Sequence, residues 1–170
     1  MKLREIRVEY RKNPIGLAVE KPRFSWKMES DEKDTVQKSY QIIVKKCTSN
    51  LKSLPSEGET VWDTGDIESD ESVLLEYEGA KLEPESFYLV QIQAEDNHGN
   101  TASGETTFET GIFDNHCFRA EMITHNFEKE ETACPVFWKE FAIHKKVACA
   151  RLYATAFGVY EVSLNGKQVE

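Results

Sequence analysis

No apolar run in this sequence approaches the ~18 residues of a membrane-spanning helix. The N-terminus alternates charged and apolar residues from Met1 to Tyr10. It therefore lacks the continuous apolar core of a signal peptide and reads as a strand. A basic excess is also missing. The formal net charge is −9 and the pI is about 5.1, so nucleic acid and anionic membranes are not expected partners, since both need a basic face. The four cysteines, Cys47, Cys117, Cys134 and Cys149, form no CxxC pair and no tight framework, and they read as free thiols in a reducing cytoplasm. GxSxG, P-loop, GxGxxG and HExxH patterns are all absent, and no cofactor is expected.

What is present is alternation. From Tyr88 the residues Tyr88, Val90, Ile92 and Ala94 oppose Leu89, Gln91, Gln93 and Glu95, and a period of two places each set on one face of a strand. Leu82-Glu83-Pro84 marks the entry turn and Asn97-His98-Gly99-Asn100 the exit turn. Tyr88 near the start of such a strand predicts a tyrosine corner, its phenol bonded to backbone upstream. The outward face begins with Phe87 and Leu89, apolar where a solvated strand is polar. Cover from the following linker or from a second β segment is expected there.

Further strands are predicted around Ile6, Val8 and Tyr10, around Phe24, Trp26 and Met28, and around Tyr40, Ile42 and Val44. Others are expected over Thr60–Gly65, Glu71–Glu76 and Ala102–Thr110. Seven short strands separated by turn signals fit an all-β sandwich of fibronectin III or immunoglobulin type over 1–112. Residues 113–134 are polar, with a charge run at Glu128-Lys129-Glu130-Glu131, and read as a linker. Over 135–170 the β pattern resumes, with strands expected at Arg151–Gly158 and Val159–Leu164. Asn165-Gly166 is a strong hairpin signal, because a type I′ turn needs φ > 0 at both central residues. This last part reads as the incomplete start of a second sandwich, and its open strand edge as a possible dimer contact.

Four groups of residues invite a chemical reading. Asp63-Thr64-Gly65 spells the aspartic-protease triad, but that chemistry needs two such aspartates sharing a proton and one copy occurs, so a turn is expected. Among His98, His116, His125 and His144 only the adjacent His116-Cys117 approaches a ligand spacing, and neighbours in a strand point oppositely. Asp66, Glu68, Asp70 and Glu71 lack the glycine of a calcium loop. Trp62, Trp138 and Tyr160 could stack on sugar faces or serve as core. No catalytic, cofactor-binding or metal-binding residue is assigned.

Several fragments in order resemble the N-terminal region of bacterial alpha-L-rhamnosidases of the inverting glycoside hydrolase type. They are Asn13-Pro14-Ile15-Gly16, Pro22-Arg23-Phe24-Ser25-Trp26, Gln37-Lys38-Ser39-Tyr40-Gln41-Ile42 and Val61-Trp62-Asp63-Thr64-Gly65. Ala150-Arg151-Leu152-Tyr153, Gly158-Val159-Tyr160-Glu161 and Leu164-Asn165-Gly166 resemble the start of that family's next, jelly-roll-like domain. The resemblance implies a fibronectin III-like module that supports or orients domains, followed downstream by a helical barrel whose acidic residues release terminal L-rhamnose. None of those acidic positions falls within this sequence. Where the family usually carries tryptophans, near Phe118–Ile123, this chain has Phe118 and Met122. The competing expectation is a module that binds carbohydrate or protein with no enzymatic role.

Overall fold

Alternating apolar residues, flanked by turn formers, produce ten short strands in the computed structural model, which describes residues 1–47, 58–114, 118–126, 134–147 and 149–169. There is no helix among the described residues, so none is long and apolar enough to cross a membrane. The chain separates into two units, 1–136 and 137–170.

The first unit holds β1 (Lys2–Val8), β2 (Arg23–Glu29), β3 (Gln37–Cys47), β4 (Glu59–Asp63), β5 (Ile67–Glu68), β6 (Leu75–Glu76), β7 (Phe87–Asp96) and β8 (Thr101–Glu109). One sheet has the order β1-β2-β6. The other has the order β4-β3-β7-β8, with β5 pairing β3 beyond the end of β4. All pairings between named strands are antiparallel. The inner faces carry Phe24 and Trp26 from β2, Tyr40, Ile42 and Val44 from β3, and Tyr88, Val90, Ile92 and Ala94 from β7, all buried in one cluster. These are the predicted inward sets, because the strand period of two leaves no other face for them.

The tyrosine corner is formed: Glu83 N–H donates to the Tyr88 hydroxyl at 2.9 Å, five residues upstream. Leu89 is buried without belonging to the central cluster, and Phe87 is half-buried. The β7–β8 register runs unbroken from Phe87 to Glu95, so neither residue turns inward through a bulge.

The first unit differs from expectation in three details. β1 ends at Val8, and Tyr10 leaves the strand for a two-residue turn with Glu9, φ 47° and 66°. Val8 and Arg11 exchange both backbone bonds across it, at 2.9 and 3.0 Å. Of the strand expected over 71–76, only Leu75–Glu76 is laddered, since Ser72 and Leu74 bond β2 one residue at a time. β5 was not predicted at all, being two exposed residues with no pattern to read.

In the second unit the described ladder is one hairpin, β9 (Ser163–Leu164) with β10 (Lys167–Gln168). Asn165 and Gly166 have φ of 51° and 76°, the predicted type I′ signature. Arg151–Gly158 forms no strand. A strand without a partner has no ladder to define it, and Leu152, Phe157 and Val159 are exposed.

Candidate functional site

Asp63-Thr64-Gly65 closes β4. The Asp63 carboxylate accepts Gly65 N–H at 2.9 Å and Gln41 Nε2–H at 2.7 Å, which holds its carboxyl below the usual range. Thr64 Oγ1 accepts Ile42 N–H at 2.9 Å. This is a turn in which the side chain satisfies local backbone, as expected.

The other motif residues are consumed in the same way. Trp26 is buried at the centre of the sandwich, and its indole N–H donates to Gln37 Oε1 at 2.8 Å. Gln37 Nε2 donates to the carbonyls of Ser69 and Glu71, at 3.0 and 2.9 Å, and so ties the β5–β6 connection to the core. Ser25 Oγ accepts Leu74 N–H at 2.8 Å. Asn13 Oδ1 accepts from Thr106 Oγ1 and Thr107 N–H, and Glu109 N–H donates to Pro14 C=O at 2.9 Å. Asn13–Leu17 thereby lies along the end of β8.

A polar cluster surrounds the Glu9–Tyr10 turn. The Glu9 carboxylate accepts Arg23 N–H at 2.7 Å and the guanidinium Nε and Nη2 at 3.0 and 2.8 Å. The guanidinium lies over the Tyr10 ring, 5.5 Å from its centroid. Bonding to Arg23 holds the Glu9 carboxyl below its usual range despite the opposing effect of burial, and raises Arg23 above its own. A carboxylate locked to a guanidinium cannot exchange protons near neutral pH, so the cluster clamps the turn rather than acting as acid or base.

The sequence did not signal Asp96. This carboxylate is fully buried at the end of β7 and accepts His98 N–H and Asn100 N–H, both at 2.9 Å, and Asn100 Nδ2–H at 3.0 Å. Burial pushes its carboxyl up, but the Asn100 and His98 bonds outweigh that and hold it below the usual range.

The histidines, cysteines and aromatic residues weighed for metal or sugar lie apart. Among the described residues no group of three or more His, Cys, Asp or Glu could hold a metal ion. His98 lies 4.0 Å from Glu32, His116 and Cys117 lie outside the described residues, and Cys47, Cys134 and Cys149 are free thiols. Trp62 is committed to packing, stacked on Phe24 at 6.0 Å and edge-on to Tyr77 at 5.1 Å. Trp138 and Tyr160 are 79% and 54% exposed in the second unit. An open groove of about 450 Å³ runs between β1 and β8, lined by Met1–Arg4 and Thr101–Ser103. It presents no carboxylate, whereas glycoside hydrolysis needs two across a cleft.

A three-stranded sheet packed on a β4-β3-β7-β8 sheet, with a tyrosine corner, defines an immunoglobulin-like sandwich. Residues 3–114 match the family model for the Rha78A-like N-terminal immunoglobulin domain, and the chain belongs to that family. An alpha-L-rhamnosidase of Alteromonas sp. (strain LOR) is 32% identical over 168 residues, covering 92% of this chain and 18% of that protein. The solved alpha-L-rhamnosidase of Streptomyces avermitilis, complexed with L-rhamnose, superposes with a TM-score of 0.62 at 31% identity, covering 70% of this chain and 11% of that one. The one from Dictyoglumus thermophilum gives 0.59 at 33%, covering 69% and 13%. The chain thus spans under a fifth of the length of these relatives.

Proposed function

We propose that this chain is the non-catalytic N-terminal region of an alpha-L-rhamnosidase-like glycoside hydrolase. The full-length protein would release terminal L-rhamnose from glycosides, and the sandwich would support and orient the downstream domains, a catalytic barrel among them. One observation carries the reading: in the fragments that resemble the family, Asn13, Ser25, Trp26, Gln37, Asp63 and Thr64 spend their polar groups on internal hydrogen bonds. An aryl rhamnoside assay on this 170-residue chain and on its full-length protein tests it. Hydrolysis by the full-length protein alone is expected. Turnover by the chain alone would overturn the supporting role, and an inactive full-length protein would overturn the activity.

The exposure of Trp138 and Tyr160 favours a second reading, a carbohydrate- or protein-binding module. Rhamnose and rhamnose-containing glycans should then shift tryptophan fluorescence. No response up to millimolar ligand removes the sugar version. The free thiols Cys47, Cys134 and Cys149 support a cytoplasmic setting, which cell fractionation of the native protein tests.

A further inference from the structure

Edge strands carry unpaired backbone groups, and folded proteins blunt them with bulges, charges, proline, very short strands or cover. β1 has a register break between Arg4 and Arg7, a left-handed Glu5 at φ 48°, and four charged side chains. β5 and β6 are two residues each. β4 is bonded along its outer side by Ala80 N–H to Val61 C=O. The distal end of β8 is covered by Asn13–Leu17.

The proximal half of β8, Thr101–Glu105, is less protected: it carries one charge, Glu105, and β1 packs Leu3 and Ile6 against Gly104, but its outward backbone groups are not bonded within the described residues. Its register with β7 is unbroken and it contains no proline. The direction of its free groups follows from the covered end. Glu109 donates to Pro14 and accepts from Leu17, and Thr107 N–H bonds Asn13, so odd-numbered residues of β8 point their N–H and C=O away from β7. By the period of two, Thr101, Ser103 and Glu105 do the same, and their side chains are exposed. Among the described residues nothing pairs with them on that side.

We propose that this half-edge binds a second copy of the chain, with two β8 strands antiparallel about a two-fold axis at Ser103. The stretch is self-complementary. Ser103 exchanges both ladder bonds with its own counterpart and Thr101 with the partner's Glu105, about six bonds in all. Charge fits the same register: the partner's Glu105 comes opposite Thr101, which lines the groove with Lys2 and Arg4. The sequence pattern suggests an open edge at the C-terminal hairpin; the edge proposed here is a second one, on β8.

Sedimentation equilibrium at roughly 0.15 M salt, where repulsion between copies of charge −9 is screened beyond about 8 Å, tests the proposal. A monomer–dimer equilibrium is expected between roughly 10 µM and 1 mM, as suits so small an interface. Ser103→Lys sets like charges opposite each other on an exposed site and should weaken the dimer about 2–5-fold, with circular dichroism unchanged. Ser103→Cys should crosslink to its own counterpart under mild oxidant, because a hydrogen-bonded antiparallel pair has Cα atoms about 5.5 Å apart, within disulfide reach. Peptide mapping separates that bond from links through Cys134 or Cys149. A strict monomer overturns the proposal. So does a dimer unmoved by Ser103→Lys, or crosslinked only elsewhere.

Discussion

Replacing Gln37 with Leu removes the one side chain that satisfies the central tryptophan. The indole N–H of Trp26, a residue 2% exposed, loses its acceptor at 2.8 Å. An unpaired buried donor costs about 1–3 kcal/mol. The Ser69 and Glu71 carbonyls also lose a donor, but Ser69 is half-buried and Glu71 exposed, so water replaces it at up to ~1 kcal/mol together. Burying Leu in place of Gln returns roughly 1 kcal/mol. The net loss is therefore about 0–3 kcal/mol. In a Trp26→Phe background the donor is already gone, and Gln37→Leu should be nearly neutral. Urea unfolding followed by far-UV circular dichroism, on all four members of the cycle, should give a coupling energy of about 1–2 kcal/mol. A coupling below ~0.5 kcal/mol would refute the view that this bond ties the β5–β6 connection to the core.

Tyr88→Phe should cost about 0.5–1.5 kcal/mol through loss of the corner bond to Glu83, read as a lower urea midpoint at unchanged slope. Gly104→Ala should cost no more than about 1 kcal/mol in calorimetry, because the Cβ meets only Cδ1 at the end of the half-buried Ile6 side chain, which can rotate away. Acid should weaken the sandwich. The Glu9 and Asp96 carboxyls are held below their unfolded values, so their stabilisation is complete above roughly pH 5 and drains away as pH falls through the folded values. Asp96→Asn should flatten the fall in melting temperature between roughly pH 5 and 3, and an unchanged slope would remove Asp96 from the account.

Much of the fold was legible because alternation is local. Tyr88, Val90, Ile92 and Ala94 could be assigned to one face without knowing what faced them, and so could Tyr40, Ile42 and Val44. Turns were legible for the same reason. Asn165-Gly166 and Asp63-Thr64-Gly65 carry much of their own geometry, since the φ values and the Asp63–Gly65 bond lie within a few residues. Asp96 was not legible, because an acid before a turn looks the same whether solvent or the backbone of Asn100 receives it. Tyr10 continued the alternation of Ile6 and Val8, yet the Glu9–Arg23 clamp, made across fourteen residues of chain, pulls it out of the strand.

The sequence by itself thus determined the class, the inward faces and the turn chemistry, all properties of neighbours along the chain. Tertiary structure decided which polar residue satisfies Trp26, which carboxylate is buried, and which strand edge is left bare. Those depend on how two sheets stack and where Asn13–Leu17 lies along β8, contacts between residues up to 94 positions apart.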